Sequence, residues 1–307
     1  MMNQFTKMDI KLIRHPKERR IYIFAIIINI FAIMVVSTLV FEDIKLFYEQ
    51  VNTIAEEQGA TVFEMDAEEI KELFIEAWYD PRNQANIEIY TTVLALYLLT
   101  VAVLEFYYAY IRTSAVKVTK KQFSDIYEMA ERYTYILGLK KMPEIYLVQQ
   151  NGILNAFASN IIRKKYITIN ADLLEIGYRQ YNDLESIGFI LGHEMSHIKL
   201  RHVSIWIRYT VMLAEVLPIA GSMLSRVREY SCDRLAQAVS QNDGVEAMLA
   251  LTMGKHLYKR TDAEEYLESA KNVKGFWVWV VNLFSSHPIL PKRVKALVNP
   301  YIPGKIF

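Results

Sequence analysis

The pattern that decides the fold is a five-residue stretch that reads His193-Glu194-Met195-Ser196-His197. It lies in an apolar pattern of helical spacing over residues 182–201. Successive residues of an α-helix turn by about 100°, so the two histidines stand only about 40° apart around the axis. Both imidazoles can therefore reach one tetrahedral zinc ion, and Glu194 lies near enough to activate water as a base. The stretch predicts a zinc site with its base on the same helical turn.

A third protein ligand must come from elsewhere, because catalytic zinc takes three and leaves a fourth position open. On a continuous helix His202 lies about 180° from His193, so we expect it to face away from the metal and to act either at the helix end or by contacting a ligand from behind. Glu229 and Asp233 follow at i, i+4 in a later helical pattern. Glu229 can ligate zinc while Asp233 accepts the second ring N–H of a ligand histidine. Spacing alone is equally compatible with a solvated acidic face paired with arginines.

Composition narrows the class of protein. The chain has 307 residues, and its single cysteine, Cys232, excludes an internal disulfide framework and a thiolate-cluster metal site. The 35 basic and 34 acidic side chains nearly cancel, which gives no support for a nucleic-acid partner. A hydrophobic fraction of 52% is high for a soluble enzyme. We therefore expect the lipid bilayer to surround part of the chain.

Two apolar stretches predict transmembrane helices. Residues 21–41 carry no charge and would form roughly 31 Å of helix, enough to cross a bilayer core. Residues 89–111 carry one charge, Glu105. Between them, residues 42–86 form a segment with twelve acidic side chains, predicted as an extracytoplasmic loop that holds one amphipathic helix capped by Asp66 and Glu69. The sequence predicts a membrane anchor over residues 1–111.

Flanking charges predict the orientation. Residues 1–20 hold six basic side chains against two acids, and residues 112–121 hold four basic side chains and no acid. Since Lys and Arg stay preferentially on the cytoplasmic side, we expect the N-terminus and residues 112–307 to be cytoplasmic. This topology predicts a multi-pass protein of the cell membrane, and a bacterial plasma membrane is the default assignment.

The rest of the cytoplasmic part predicts helices around a small sheet. Residues 122–139 have helical spacing, and residues 144–148 and 166–170 are short β-prone runs. Residues 203–224 are apolar but too short for two spans, and one span would separate His197 from Glu229, so we expect a helical hairpin. Residues 275–284 suit either a membrane interface or an internal core helix.

These motifs, taken in order, resemble peptidase family M48, a gluzincin family that includes the HtpX-type membrane proteases and the Ste24 CAAX proteases. The likeness covers roughly residues 115–300. It rests on Pro143 with the 144–148 run, Asn155-Ala156-Phe157-Ala158, residues 166–170, Asp172-Leu173-Leu174, GHEMSHI at 192–198, SRVREYSCD at 225–233, and Ser286-His287-Pro288 with Arg293. Two features depart from the family. Cys232 stands where the family has alanine, and residues 198–228 are much shorter than the double membrane crossing of HtpX-type proteins.

The resemblance implies an α+β, mostly helical, zincin-like metallopeptidase domain with a small sheet. It implies one zinc ion per chain, with His193, His197 and Glu229 as ligands and Asp233 as an orienting residue. It also implies that His287 and Arg293 donate to the oxyanion, and that a substrate strand lies beside the segment Asn155, Ala156, Phe157 and Ala158. Without the resemblance, His287 is a loop residue and 155–158 is a loop before a strand.

We therefore expect a membrane-anchored zinc endopeptidase whose catalytic residues are Glu194, His287 and Arg293. Its partners would be peptide or membrane-protein substrates at the inner membrane surface. One alternative is Ste24-like processing of lipidated C-termini, which two spans disfavour. The other is a non-catalytic membrane scaffold or sensor that zinc only stiffens.

Overall fold

The computed structural model describes residues 3–150, 152–161, 164–179, 181–272, 274–285, 287–299 and 303–306. Ser286, part of the resemblance, lies outside them. The chain divides into two compact units, the first made of residues 1–29 and 108–307 and the second of residues 30–107. Helices dominate, with one four-stranded sheet, so the predicted α+β, mostly helical fold with two apolar N-terminal helices is confirmed. The predicted anchor boundary at residue 111 stays a prediction.

Two helices are long and apolar enough to cross a membrane. After the short helix α1 (Lys7–Ile13) come α2 (Glu18–Glu57) and, later, α4 (Pro81–Ser114), whose most apolar windows have mean hydropathies of 2.8 and 2.0. The predicted spans at 21–41 and 89–111 lie inside them. Both helices continue beyond the apolar windows, because the polar residues that follow keep helix-forming side chains and lack Gly or Pro breaks. Residues 42–57 thus extend α2 as helix, and the assignment of residues 42–86 to the extracytoplasmic side stays a prediction.

The predicted amphipathic helix between the spans is confirmed as α3 (Ala67–Trp78), which follows a 3₁₀ turn at Val62–Glu64. The Asp66 carboxylate accepts hydrogen bonds from the backbone N–H groups of Glu68 and Glu69, and Glu69 accepts one from the Asp66 N–H. This capping box satisfies donors that the first helical turn leaves free. The apolar face of α3 packs on α2 through Leu73, Ala77, Val51 and Ala55.

The sheet contains β1 (Val116–Lys117), β2 (Glu144–Val148), β3 (Ala156–Ile161) and β4 (Lys164–Asn170) in the order β1-β2-β4-β3. Strand β4 runs parallel to β2, with Ile145 opposite Ile167, and antiparallel to β3, with Ala158 opposite Ile167. The strands predicted at 144–148 and 166–170 are confirmed. The loop alternative for 155–158 is wrong from Ala156 onward, where β3 forms an edge of the sheet.

The remaining helices surround α7 (Leu184–Lys199), which packs against the sheet on one side and against α9 (Pro218–Ser240) on the other. The others are α5 (Ser124–Ile136), α6 (Ala171–Tyr178), α8 (Ile205–Val216), α10 (Val245–Met253), α11 (Ala263–Asn272), α12 (Phe276–Phe284) and α13 (Leu290–Val298), with a 3₁₀ turn at Tyr258–Arg260. The helix predicted at 182–201 is confirmed, and it begins two residues later and ends two residues earlier than predicted. In α12 only Asn282 is buried, so the core-helix alternative is wrong and the membrane-interface alternative stays a prediction.

The helical hairpin predicted at 203–224 is confirmed. Helices α8 and α9 are separated by Leu217 alone and pack through Val211, Ala214, Ala220, Leu224 and Val227. The tight turn requires Gly221, because a Cβ atom there would lie 2.4 Å from the carbonyl oxygen of Glu215. Backbone atoms cannot give way as a side chain can, so the turn excludes larger residues at this position.

Replacing Gly221 by alanine should therefore open the hairpin and destabilise the first unit by about 1–3 kcal/mol, the usual cost of overpacking. Thermal unfolding of the detergent-purified chain measures this loss. Ser225→Ala, one turn along the same helix, is the matched control and should unfold near the wild-type temperature. An unchanged unfolding temperature for Gly221→Ala would contradict the close approach of the two helices.

Candidate metal centre

Helix α7 places three of the predicted site residues in the interior. It starts at Asp183, whose carboxylate accepts a hydrogen bond from the Ser186 backbone N–H at 2.9 Å and another from the Tyr258 hydroxyl, also at 2.9 Å. Its central turns are apolar on nearly all sides and fill the space between the sheet and α9. His193 and Glu194 are consequently buried, and His197 is half-buried.

Three ligand atoms converge between α7 and α9. Nε2 of His193 lies 3.1 Å from Nε2 of His197, and each nitrogen lies 3.5 Å from a carboxylate oxygen of Glu229. A tetrahedral zinc ion with ligand distances of about 2.0–2.1 Å would separate its ligand atoms by roughly 3.3 Å. Two imidazole nitrogens and one carboxylate oxygen are also the ligand types of many catalytic zinc sites. The three residues thus fit a zinc ion in number, type and spacing.

Asp233 lies behind the first imidazole. Its Oδ1 lies 2.9 Å from Nδ1 of His193, which leaves Nε2 as the ring nitrogen on the side of Glu229. Burial alone would lower the pKa of His193, but Asp233 and Glu229 outweigh it and raise that pKa to about 10. The pocket therefore favours a positive charge at Nε2, which a metal ion would supply in place of the proton.

Arg293 neutralises the two carboxylates of α9. Its Nε lies 2.9 Å from Oδ2 of Asp233, a second nitrogen lies 2.5 Å from Oδ1, and a third lies 3.2 Å from Oε2 of Glu229. Burial would raise the pKa of both acids, yet Arg293, followed by the histidines, holds the pKa of Glu229 well below its ordinary value and lowers that of Asp233. Both acids are thus ionised and ready to bind a cation.

His287 approaches the site from the loop before α13. Its Nδ1 lies 3.3 Å from Oε2 of Glu229, and its side chain is 64% exposed. The hydrogen bond with Glu229 raises the pKa of His287. The structure brings His287 and Arg293 to the same carboxylate. Their role at the oxyanion stays a prediction, and the described polar contacts of Arg293 are with Asp233 and Glu229.

The second imidazole, His197, is supported by His202, one of the two roles expected for that residue, and by Glu18, which the sequence did not suggest. Nδ1 of His197 lies 3.2 Å from Nδ1 of His202, and Nε2 of His202 lies 3.1 Å from Oε1 of Glu18. Because Glu18 accepts the Nε2 proton, Nδ1 of His202 is free to accept the Nδ1 proton of His197. Nε2 of His197 then turns its lone pair toward the metal position. Burial lowers the pKa of His202 to about 4, in keeping with a neutral ring.

The expectation that His202 faces away is therefore wrong. Helix α7 ends at Lys199, and Arg201 adopts a left-handed conformation with φ of 63°. The turn folds the chain back, so that the backbone N–H of His202 donates to the carbonyl of His197 at 2.9 Å. The predicted helix-end position is where His202 lies. No Gly or Pro marks the end of α7 in the sequence. Nor does the sequence single out Glu18, which is one of two acids among the six basic residues of the stretch 1–20.

Glu194 points toward the edge of the sheet. Its carboxylate accepts a hydrogen bond of 2.6 Å from the backbone N–H of Ala158 in β3. Burial raises the pKa of Glu194 above the ordinary value for a glutamate. A carboxylate with a raised pKa accepts a proton more readily near neutral pH, which suits a general base. The structure thus brings the predicted base and the predicted substrate segment together.

Cys232 has no place in this chemistry. It is fully buried, its Sγ lies 3.5 Å from Nδ1 of His202, and burial raises the pKa of its thiol well above the ordinary value. Cys232, His202 and His197 are close enough to form a second ligand group. The Nδ1 atoms of both histidines already face each other at hydrogen-bonding distance, so we interpret the group as packing around the support of His197.

The comparisons with known proteins agree with this geometry. The model of Peptidase family M48 matches residues 120–221 and 204–301, more than half of the chain. The chain belongs to peptidase family M48. A curated relative, the Protease HtpX homolog of Fusobacterium nucleatum, is 26% identical over a 205-residue alignment that covers 52% of this chain. The match spans 64% of the relative's own length.

Weakening the support of His197 should weaken metal binding without removing a ligand. We expect Glu18→Gln and His202→Ala to lower zinc affinity about 10- to 100-fold, the usual effect of losing a residue that orients a ligand. Competition with a chromophoric chelator measures that affinity. Glu144→Gln, which removes a carboxylate bound to Lys117 and two tyrosines, is the control. Equal zinc affinity in all three variants would refute the proposed support of His197 by His202 and Glu18.

Proposed function

We propose that this protein is a membrane-anchored zinc endopeptidase. The observation that carries the proposal is the convergence of His193, His197 and Glu229 within zinc-ligand spacing, with the carboxylate of Glu194 beside them at the edge of the sheet. Family membership and the relative named a protease support the same reaction, and the two candidate spans support the membrane anchor. When bound, zinc would act as a Lewis acid on the scissile carbonyl and lower the pKa of water.

Proton transfer falls to Glu194. Its side chain is buried, and its raised pKa allows it to take a proton from the attacking water and return it to the departing amine. The hydrogen bond from the Ala158 N–H fixes the orientation of the carboxylate. Glu229, kept ionised by Arg293, remains a ligand and does not compete for the proton. The two glutamates thus take separate roles because their surroundings shift the pKa values in opposite directions.

The substrate is proposed to bind as an added strand beside β3. In an antiparallel pair, alternate residues turn their backbone groups to the partner strand and to the outside. The carbonyl of Asn155 accepts from the N–H of Asn170, so the backbone groups of Ala156 and Ala158 point away from β4, to the outer side of β3. On that side the N–H of Ala158 donates to Glu194. A peptide added there would pass the metal ligands. A cavity of about 430 Å³ lined by His197 and Glu229 could receive one of its side chains.

Binding to the membrane would confine this chemistry to the lipid surface. The first turn of α2 carries Glu18, whose carboxylate accepts from His202 and from the Ser231 hydroxyl of α9. His15, just before α2, donates its backbone N–H to the same hydroxyl at 2.9 Å. The first turn of α2, which we call the foot of this candidate span, is thus connected to the metal centre through Glu18. Together with the basic flanks, this supports a cytoplasmic site that cleaves membrane proteins or tails near the inner surface.

Glu194→Gln tests the proposed base. We expect the variant to retain one zinc ion per chain and to lose roughly 10²- to 10⁴-fold in cleavage rate, because the amide cannot accept the proton. Full-length protein in lipid vesicles, assayed on co-reconstituted membrane proteins, measures the rate. Membrane proteomes of cells with the variant should contain stabilised and trapped substrates.

Glu185→Gln, on an exposed turn of the same helix, is the control and should cleave normally. Cleavage that survives Glu194→Gln would show that another group is the base. A wild-type protein that binds zinc, cleaves no membrane protein and leaves the proteome unchanged would favour the scaffold or sensor.

A further inference from the structure

A large cavity in the first unit has no part in the proposed hydrolysis. Its volume is about 1300 Å³, and it lies between α1, the foot of α2, the turn before β2, the end of β3 and the turn after α7. His202 and Glu18 reach its wall. His193, His197, Glu194 and Glu229 are not among its described lining residues. The cavity therefore adjoins the support of the metal centre without opening on the ligand atoms.

The cavity is strongly basic. Among the described residues, eleven Lys or Arg side chains line it against two carboxylates, Glu18 and Glu144. Both carboxylates already have partners: Glu18 contacts Arg14 and His202, and Glu144 contacts Lys117. Among the described lining cations, Arg14 and Arg228 are the ones that form ion pairs. Most of the positive charge in the cavity is thus uncompensated within the described part of the chain.

Membrane topology alone does not account for this charge. The positive-inside rule concerns basic residues that flank a span in the sequence, such as those at 7–19. Lys140, Lys141, Lys165 and Arg201 are distant in sequence from both candidate spans, and folding brings them to the same cavity. Partial desolvation by the cavity wall and the charge of Arg201 lower the pKa of Lys165, although the side chain as a whole is exposed. Gathering like charges costs free energy, which a bound anion would offset.

Apolar side chains also line the cavity, and Tyr22, Ile207 and Leu224 are among them. Tyr22 belongs to α2, which continues with exposed Ile23, Phe24 and Ile27 along its outer surface. A ligand that fills the cavity would therefore meet cations and, beside Tyr22, the apolar flank of a candidate span. An acidic peptide matches the cations but not the apolar flank.

We propose that this cavity binds the phosphate headgroup of an anionic phospholipid, whose acyl chains lie along the start of α2. Basic pockets beside transmembrane helices on the cytoplasmic side bind such headgroups by the same chemistry. The bound lipid would hold the foot of α2, and with it Glu18, against the inner domain. Lipid affinity can be measured on the protein without zinc and without a peptidase assay, so the result does not depend on the proposed function.

The test uses the full-length chain, delipidated in non-ionic detergent and titrated with phosphatidylglycerol or with phosphatidylcholine of the same acyl chains. Native mass spectrometry measures the bound lipid. We expect phosphatidylglycerol to bind about tenfold or more tightly than phosphatidylcholine, since each nearby Lys or Arg contributes to anionic-lipid attraction. The triple variant Lys140→Gln, Lys141→Gln, Lys165→Gln should lose about tenfold or more of that affinity. These side chains are exposed, and an unchanged unfolding temperature verifies that the variant folds.

The matched control is Lys120→Gln, Lys121→Gln, Lys295→Gln, which removes the same charge from exposed positions outside the cavity. It should bind phosphatidylglycerol as the wild type does. Equal affinity for the two lipids, or equal losses in the two triple variants, would overturn the proposal. It would also fail if inorganic phosphate displaced phosphatidylglycerol at equal concentration, or if a polyglutamate peptide bound more tightly than the lipid.

Discussion

The structure depends on placing two carboxylates and two imidazoles together inside the protein. Glu229 and Asp233 would each be costly to bury as isolated charges. Arg293 contacts both at 2.5–3.2 Å, and His193 lies between them. The cluster leaves Nε2 of both ligand histidines and one face of Glu229 turned to a common point. Helices α7 and α9 must pack closely for this to occur, and small and apolar residues of both helices pack around the polar cluster.

Each imidazole is oriented from a different part of the fold. Asp233 holds His193 from within α9, whereas Glu18 holds His197 through His202 from the first turn of α2. A metal ligand is consequently connected by hydrogen bonds to the foot of a candidate membrane span. The basic cavity adjoins the same residues, so the cavity, the candidate span and the candidate metal centre share one structural element. The contacts from Glu18 through His202 to His197 thus connect a candidate membrane span to the candidate metal site.

Much of the fold followed from local patterns. Alternation and helical spacing predicted β2, β4, α3 and α7, and the distance argument predicted the hairpin of α8 and α9, because these patterns depend on neighbours a few residues apart. The same reasoning failed at His202. It assumed that α7 continues, but the helix ends at Lys199 without a Gly or Pro, and the turn after it reverses the direction of the side chain. It also did not foresee that α2 continues through the polar residues 42–57.

The amino-acid order alone specified the pair of histidines, the glutamate between them, the i, i+4 carboxylates and two apolar stretches of membrane length. These features are periodic and local, so helix geometry converts them directly into positions in space. Packing decided the rest. Glu18 and His202 are 184 residues apart, Arg293 and Asp233 are 60 apart, and the cations of the large cavity come from five separate segments. Such contacts form only when segments that are distant in sequence pack together, so the spacing of residues along the chain cannot predict them.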